Sequence, residues 1–169
     1  FTKGCNLSCA HCRGASTSEV DRDELTTEES KHFIDEIVGI GRPILILSGG
    51  EPLVRDDIFE IASYGTERGL RVVMATNGTM ITPYIAEKLK KSGIQRASIS
   101  IDGATSGTHD DFRGMPGAFK RALNGIKIFK ETGIGVQINT TITKRNIHEI
   151  PDIFEFAKNI GAEALHIFM

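Results

Sequence analysis

Apolar residues gather into five short runs: ILILS (44–48), RVVMAT (71–76), ASISID (97–102), GVQINTTI (135–142) and ALHIFM (164–169). Each is five to eight residues long and rich in Ile, Val or Leu, which predicts a strand. The runs are nearly continuous instead of cleanly alternating, as in parallel strands covered on both faces. Between them the apolar spacing turns helical. TTEESKHFIDEIVGIG opens on a capping box, Thr26 with Glu29, puts Phe33, Ile34, Ile37 and Val38 on one side, and stops at Gly39 and Gly41. DDIFEIASYGTERG offers Asp56 as a cap, with Ile58, Phe59 and Ala62 turned inward. TPYIAEKLKKSG places Thr82 at the N-cap, Pro83 at the first helical position and Gly93 past the end. Residues 117–133 carry Phe119, Ala122, Leu123, Ile126 and Phe129 at helical spacing, and residues 150–161 close the series.

Strand followed by helix, repeated, means right-handed βαβ units on a parallel sheet. The apolar start at Phe1 reads as the tail of one more strand, giving six β/α units with the first clipped. The fold class is α/β, either an open doubly wound sheet or an incomplete (β/α)6 barrel. Both ends look cut from a longer chain, and residues 1–169 form one domain of it. Both architectures bind ligands at the C-terminal ends of the strands. The unusual residues collect there. Cys5, Cys9 and Cys12 follow the clipped strand, and Ser48 to Pro52 (SGGEP) follow the next. Thr76, Asn77, Gly78 and Thr79 follow the third, and Ser100 to Gly103 the fourth. Asn139, Thr141 and Lys144 belong to the fifth, and Met169 ends the sixth.

Composition narrows the function by exclusion. Twenty basic and twenty-two acidic residues give a net charge of −2, so no polyanion or nucleic-acid partner is implied. No apolar run approaches the ~20 residues of a membrane span, and none reads as a signal peptide. Three cysteines within eight residues suit neither a disulfide framework nor a two-cysteine redox pair, which points to a reducing cytoplasm.

Those cysteines, in GCNLSCAHC (4–12), are all the cysteines of the chain. A structural zinc site wants four closed ligands. His11 is available as a fourth, but it adjoins Cys12, and neighbouring side chains seldom chelate one tetrahedral ion without strain. An electron-transfer iron–sulfur centre normally has four cysteines. Three leave one iron of a cubane open, a position where something binds and reacts. A cluster with a vacant iron is the favoured reading, with zinc the alternative.

The C-x-x-x-C-x-x-C loop with GGEP one strand later resembles the radical S-adenosylmethionine enzymes, over essentially the whole chain. The resemblance implies a partial (β/α)6 barrel, a 4Fe–4S cluster on Cys5, Cys9 and Cys12, and S-adenosylmethionine on the fourth iron. It implies that Gly49, Gly50 and Glu51 meet the methionine amino group, and that Ser100 and Asp102 meet ribose. His11 and Met169 would contact adenine, and Asn139 would belong to the same cofactor-binding set. Thr76, Asn77 and Lys144 would face substrate inside the barrel. The segment SIDGATSGTHDDFRG (100–114) resembles the branch of PQQ-synthesis-like peptide maturases, sulfatase-maturing enzymes and haem-biosynthesis enzymes, in which Arg113 would pair with the methionine carboxylate. The bland reading of HDDFR is a solvated segment leading a helix, with His109 stabilising the loop. Those relatives often carry a C-terminal cysteine-rich domain; with no cysteine after Cys12, that part is expected to be absent from this fragment or from the protein.

The implied activity is reductive cleavage of S-adenosylmethionine to a 5′-deoxyadenosyl radical that abstracts hydrogen. No acid–base residue is assigned. The substrate would be a small molecule or peptide, in cofactor or haem biosynthesis or peptide modification, with an external one-electron donor of ferredoxin or flavodoxin type. A molybdenum-cofactor-cyclase-like enzyme, a non-catalytic iron–sulfur module and a zinc-binding scaffold are the alternatives.

Overall fold

The computed structural model describes residues 1–14, 16, 18, 21 and 23–169. Its strands are β1 (Ile44–Leu47), β2 (Arg71–Thr76), β3 (Arg96–Ser100), β4 (Gly135–Thr141) and β5 (Ala164–Phe168). All neighbours pair parallel, in the order β1-β2-β3-β4-β5. A strand order that never reverses is that of a barrel sector and lacks the switch point of a doubly wound sheet. Just past β1, a parallel bridge joins Thr2 to Gly49. The residues ahead of Cys5 therefore meet the sheet as the end of a further strand.

The connecting helices are α1 (Thr27–Ile40), α2 (Ile58–Glu67), α3 (Pro83–Lys91), α4 (Ser106–Arg113), α5 (Ala118–Thr132) and α6 (Ile150–Asn159). The Thr26–Glu29 capping box forms in both directions, and Thr82 accepts from the Ile85 N–H. The core lies between the helices and one face of the sheet: Ile34, Ile58 and Ile61 over Val72 and Met74, then Leu89, Ile99, Phe129 and Ile138. Burying each such side chain stabilises by about 1.5–3 kcal/mol.

Four expectations need correction. Helix α1 runs through Gly39 and ends at Ile40, because the helical bond from Gly41 N to Ile37 O is still made. Phe33 does not join the core but is half exposed over the open edge of β1. Asp57, not Asp56, stands at the N-cap of α2, and makes no cap bond because its carboxylate is taken by Arg55 and Thr27. The fourth concerns α4. HDDFR is not a solvated leader but part of a helix capped by Thr105 and closed by Gly114 in the left-handed region. His109, Phe112 and Arg113, at i, i+3 and i+4, make its buried face. Two of these three are polar, which conceals the amphipathic pattern.

His109 is buried against Phe119, with ring centroids 5.5 Å apart, and its Nδ1 accepts the backbone N–H of Asp102 at 3.2 Å. Burial holds the imidazole neutral and lowers its pKa to about 4. The unfolded ring takes its proton near 6.5, so between those values the unfolded chain binds more protons. Stability supplied by neutral His109 is complete above pH 6.5 and is lost as the pH falls towards 4, about 3 kcal/mol in all. His109→Asn keeps an acceptor for Asp102 but does not titrate. Its deficit against the wild type in urea unfolding should shrink by about 3 kcal/mol between pH 7 and pH 4. A deficit independent of pH would mean that the buried ring protonates as freely as an exposed one.

Candidate functional site

The cysteine loop has no regular structure of its own, and three neighbours hold it. The first is the segment after β1, where Gly50 N and Glu51 N donate to Thr2 O and Gly4 O at 2.6 and 2.8 Å. A Cβ at Gly50 would lie 2.2 Å from Gly4 O, so only glycine allows this approach. The second is the β2–α3 loop: Asn77 Nδ2 donates to Asn6 Oδ1 at 2.8 Å, and Asn6 Nδ2 to Thr79 Oγ1 at 2.9 Å. The third is the end of α4, where Ala10 N donates to Phe112 O at 2.9 Å. There Gly114 (φ 65°) lies so near Ser8 that a Cβ would stand 2.5 Å from its carbonyl oxygen.

None of the three cysteines forms a disulfide. All three line one cavity of about 430 Å³ at the C-terminal ends of the strands. Each sulfur meets a polar group: Leu7 N at 3.4 Å from Cys5, Arg113 Nη1 at 3.7 Å from Cys9, and Ser16 Oγ at 3.2 Å from Cys12. Burial pushes the Cys5 thiol up. Among the described residues, no three His, Cys, Asp or Glu side chains converge as ligands of a single metal ion. His11 is turned away from a Cys3His set: its Nε2 is 3.8 Å from Asp102 Oδ2 and its ring packs on Phe112. Three thiols lining one cavity suit a cluster whose cysteine ligands bind separate irons.

The same cavity is lined by His11, Gly49, Gly50, Thr76, Asn77, Ser100, Arg113, Asn139 and Met169. Three expected residues lie elsewhere. Glu51 is fully buried behind the wall. Its carboxylate accepts from Thr76 Oγ1 at 2.8 Å, Asn77 N at 2.8 Å and Leu53 N at 3.3 Å, which commits both oxygens. Burial pushes that carboxyl upward against these donors. Asp102 is also buried behind the wall. Its Oδ1 accepts from Thr141 N at 2.8 Å, and Oδ2 meets Arg113 Nη2 at 2.5 Å as an ion pair not aligned for a hydrogen bond. The fork that a bidentate grip on a ligand carboxylate needs is therefore divided between Asp102 and Cys9. Lys144 lines a separate hollow with Ala10, His11 and Phe112.

Two residues escaped the sequence reading. Gln137 Nε2 donates to Asn139 Oδ1 at 2.8 Å and lies 3.1 Å from His166 Nδ1, a polar row across β4 and β5. The signal was present as polar residues two apart in an otherwise apolar strand, Gln137 and Asn139, with His166 in register opposite Asn139.

Comparisons with known proteins agree with this geometry. The model of the Radical SAM superfamily matches residues 1–157. An AdoMet-dependent heme synthase of Methanosarcina barkeri is 64% identical over 168 residues, covering 99% of this chain and 48% of that protein. One from Nitratidesulfovibrio vulgaris is 48% identical over 168 residues, covering 99% and 46%. The chain thus spans about half the length of the curated relatives it matches. Streptococcus suis SuiB bound to the precursor peptide SuiA superposes with a TM-score of 0.81 at 21% identity, over 98% of this chain and 37% of that one, a likeness of fold. Matching parallel sheet, three-cysteine loop and sequence alike, the chain belongs to the Radical SAM superfamily.

Proposed function

We propose that this chain is the radical-generating domain of an enzyme of haem synthesis, with Cys5, Cys9 and Cys12 as ligands of a 4Fe–4S cluster. The observation that carries the proposal is the convergence of all three thiols on one cavity at the strand ends. The 64% identity to a heme synthase supports haem synthesis as the reaction, and haem is itself an iron tetrapyrrole bearing carboxylate side chains. When bound, the reduced cluster and S-adenosylmethionine supply methionine and a 5′-deoxyadenosyl radical that takes hydrogen from the substrate.

The protein's part is to hold and to exclude water. Backbone groups of Gly49 and Gly50 take the methionine ammonium. Ser100, Asn139 and Thr141 offer hydroxyl and amide groups to ribose, and His11 and Met169 flank adenine. Glu51 acts from behind, fixing Thr76 and Asn77, and through Asn77 the loop that carries Cys5. Arg13, exposed on the cavity wall, and Lys144, in the neighbouring hollow that shares His11, suit carboxylates of the substrate. The electron comes from an external one-electron donor of ferredoxin or flavodoxin type, and a reducing cytoplasm keeps the thiols competent. No described helix is long and apolar enough to cross a membrane.

Anaerobic reconstitution of the full-length protein should give an EPR-active cluster after dithionite reduction, a signal altered by S-adenosylmethionine, and 5′-deoxyadenosine as product. Replacing any one of Cys5, Cys9 and Cys12 by Ala should abolish stable cluster assembly; a single variant with wild-type iron, sulfide and spectrum would refute the ligand assignment. Glu51→Gln should behave differently. It turns an amide NH2 towards the N–H of either Leu53 or Asn77, leaving a buried donor unpaired at a cost of about 1–3 kcal/mol. A lower melting temperature and reduced iron loading are expected, and a variant of unchanged stability would return Glu51 to a direct ligand role.

A further inference from the structure

We propose that Arg113, positioned by Asp102, sets the electron affinity of the cluster through the Cys9 sulfur. The inference rests on the cluster assignment above and adds a function for a residue that assignment leaves unexplained. Arg113 is almost fully buried yet permanently charged. Its Nη2 meets Asp102 Oδ2 at 2.5 Å and its Nη1 reaches Cys9 Sγ at 3.7 Å, while Nε is buried without a hydrogen bond among the described residues. The guanidinium thus spans a carboxylate and a thiol, with its charged face on the cavity.

Such placement is too constrained for a surface ion pair. Asp102 Oδ1 is held by Thr141 N, its own N–H by His109 Nδ1, and its carbonyl oxygen by Asn146 Nδ2 at 2.8 Å. Asn146 has no solvent exposure, and its amide also donates to Thr141 O at 2.8 Å and accepts from Thr143 N at 2.7 Å. Glu149 adds a bond to Ala104 N at 2.7 Å and accepts from Thr108 Oγ1. The groups facing the pair include His11, His109, Thr141 and Cys9, and the buried Glu51 carboxylate also couples to the guanidinium. Of these, His109 is held neutral by burial and burial also lowers the pKa of His11, so neither favours adding a second positive charge beside the guanidinium.

Reduction adds one electron from a low-potential donor to the oxidised cluster, with no bond made or broken. The added negative charge is favoured by a nearby cation and by N–H groups directed at cluster sulfurs, two of the factors that set such potentials. Arg113 supplies both at one ligand, and the Asp102 carboxylate partly masks its charge. The two residues should therefore act with opposite signs: losing the guanidinium makes reduction harder, and losing the carboxylate makes it easier.

The test is an EPR-monitored redox titration of the anaerobically reconstituted full-length protein without S-adenosylmethionine, using dithionite as reductant. Arg113→Gln should cut the ratio of reduced to oxidised cluster at a fixed potential about tenfold, equal to about 59 mV for a one-electron couple. Arg113→Lys keeps the charge but not the fork and should shift it less in the same direction. Asp102→Asn should shift it the other way. If Arg113→Gln does not assemble a cluster, the Lys and Asn variants carry the test through their opposite signs. A midpoint unchanged within twofold in that ratio, or a fall in both the Arg113 and the Asp102 variants, overturns the proposal. So does a loss of S-adenosylmethionine affinity in Arg113→Gln with the potential unmoved, which would restore the ligand-carboxylate role. A wild-type protein that assembles no cluster would instead sink the cluster reading, and this inference with it.

Discussion

The site depends on a loop that cannot hold itself. Residues 4–12 make no helix or strand, so the positions of the three sulfurs are set wholly by what the loop leans on. Two of its supports are glycines, Gly50 and Gly114, which bring backbone against backbone where a Cβ would collide. The third is a side-chain amide ladder between Asn6, Asn77 and Thr79. These supports come from the β1–α2 and β2–α3 connections and from the α4–α5 junction. The parallel sheet must therefore be assembled before the thiols can be brought together, and the chemistry is linked to the fold through β1, β2 and α4.

This explains why Glu51 and Asp102, both buried, are not where ligand recognition would put them. A carboxylate at a strand end can face the cavity or brace the wall. Glu51 braces the wall, collecting donors from Leu53, Thr76 and Asn77 and so tying the segment after β1 to the end of β2. Asp102 does the same between the ends of β3 and β4, through Thr141 N and the Arg113 guanidinium. An unpaired buried charge is costly, whereas one satisfied by several donors fixes geometry. The rim is thus double-layered, with cysteines, glycine backbones, neutral polar groups and the Arg113 guanidinium on the cavity and the two carboxylates behind.

Much of this was legible in the sequence. All five strands fall within the five apolar runs to within a residue or two, since Ile- and Val-rich segments between glycines have few other options in a parallel sheet. The rim was legible because the strand-end rule needs only strand boundaries and direction. Three features were not. Helix α4 was hidden because it buries His109 and Arg113, residues that a hydrophobic pattern counts as outward. The half-exposed Phe33 sits on α1 over the unpartnered edge of β1, a tertiary circumstance no local spacing encodes. The inward roles of Glu51 and Asp102 follow from side-chain direction at the strand end, which the motif alone does not specify.

The buried polar residues of α4 are thus better understood as part of the site than as exceptions to core packing. A helix built only to cover the sheet would present apolar residues at positions 109, 112 and 113. This one presents Phe112 alone, whose carbonyl accepts from Ala10 in the cysteine loop and whose ring supports His11. His109, on one side of Phe112, fixes the backbone of Asp102, and Arg113, on the other, takes its carboxylate. A single helical turn therefore joins the β3 end to the thiol-bearing loop with one apolar and two polar contacts. Stability alone would favour replacing the ion pair with well-packed apolar groups. Its retention next to a thiol makes sense if the charge is needed there, because a buried guanidinium in a water-poor wall acts on a neighbouring sulfur far more strongly than one in solvent.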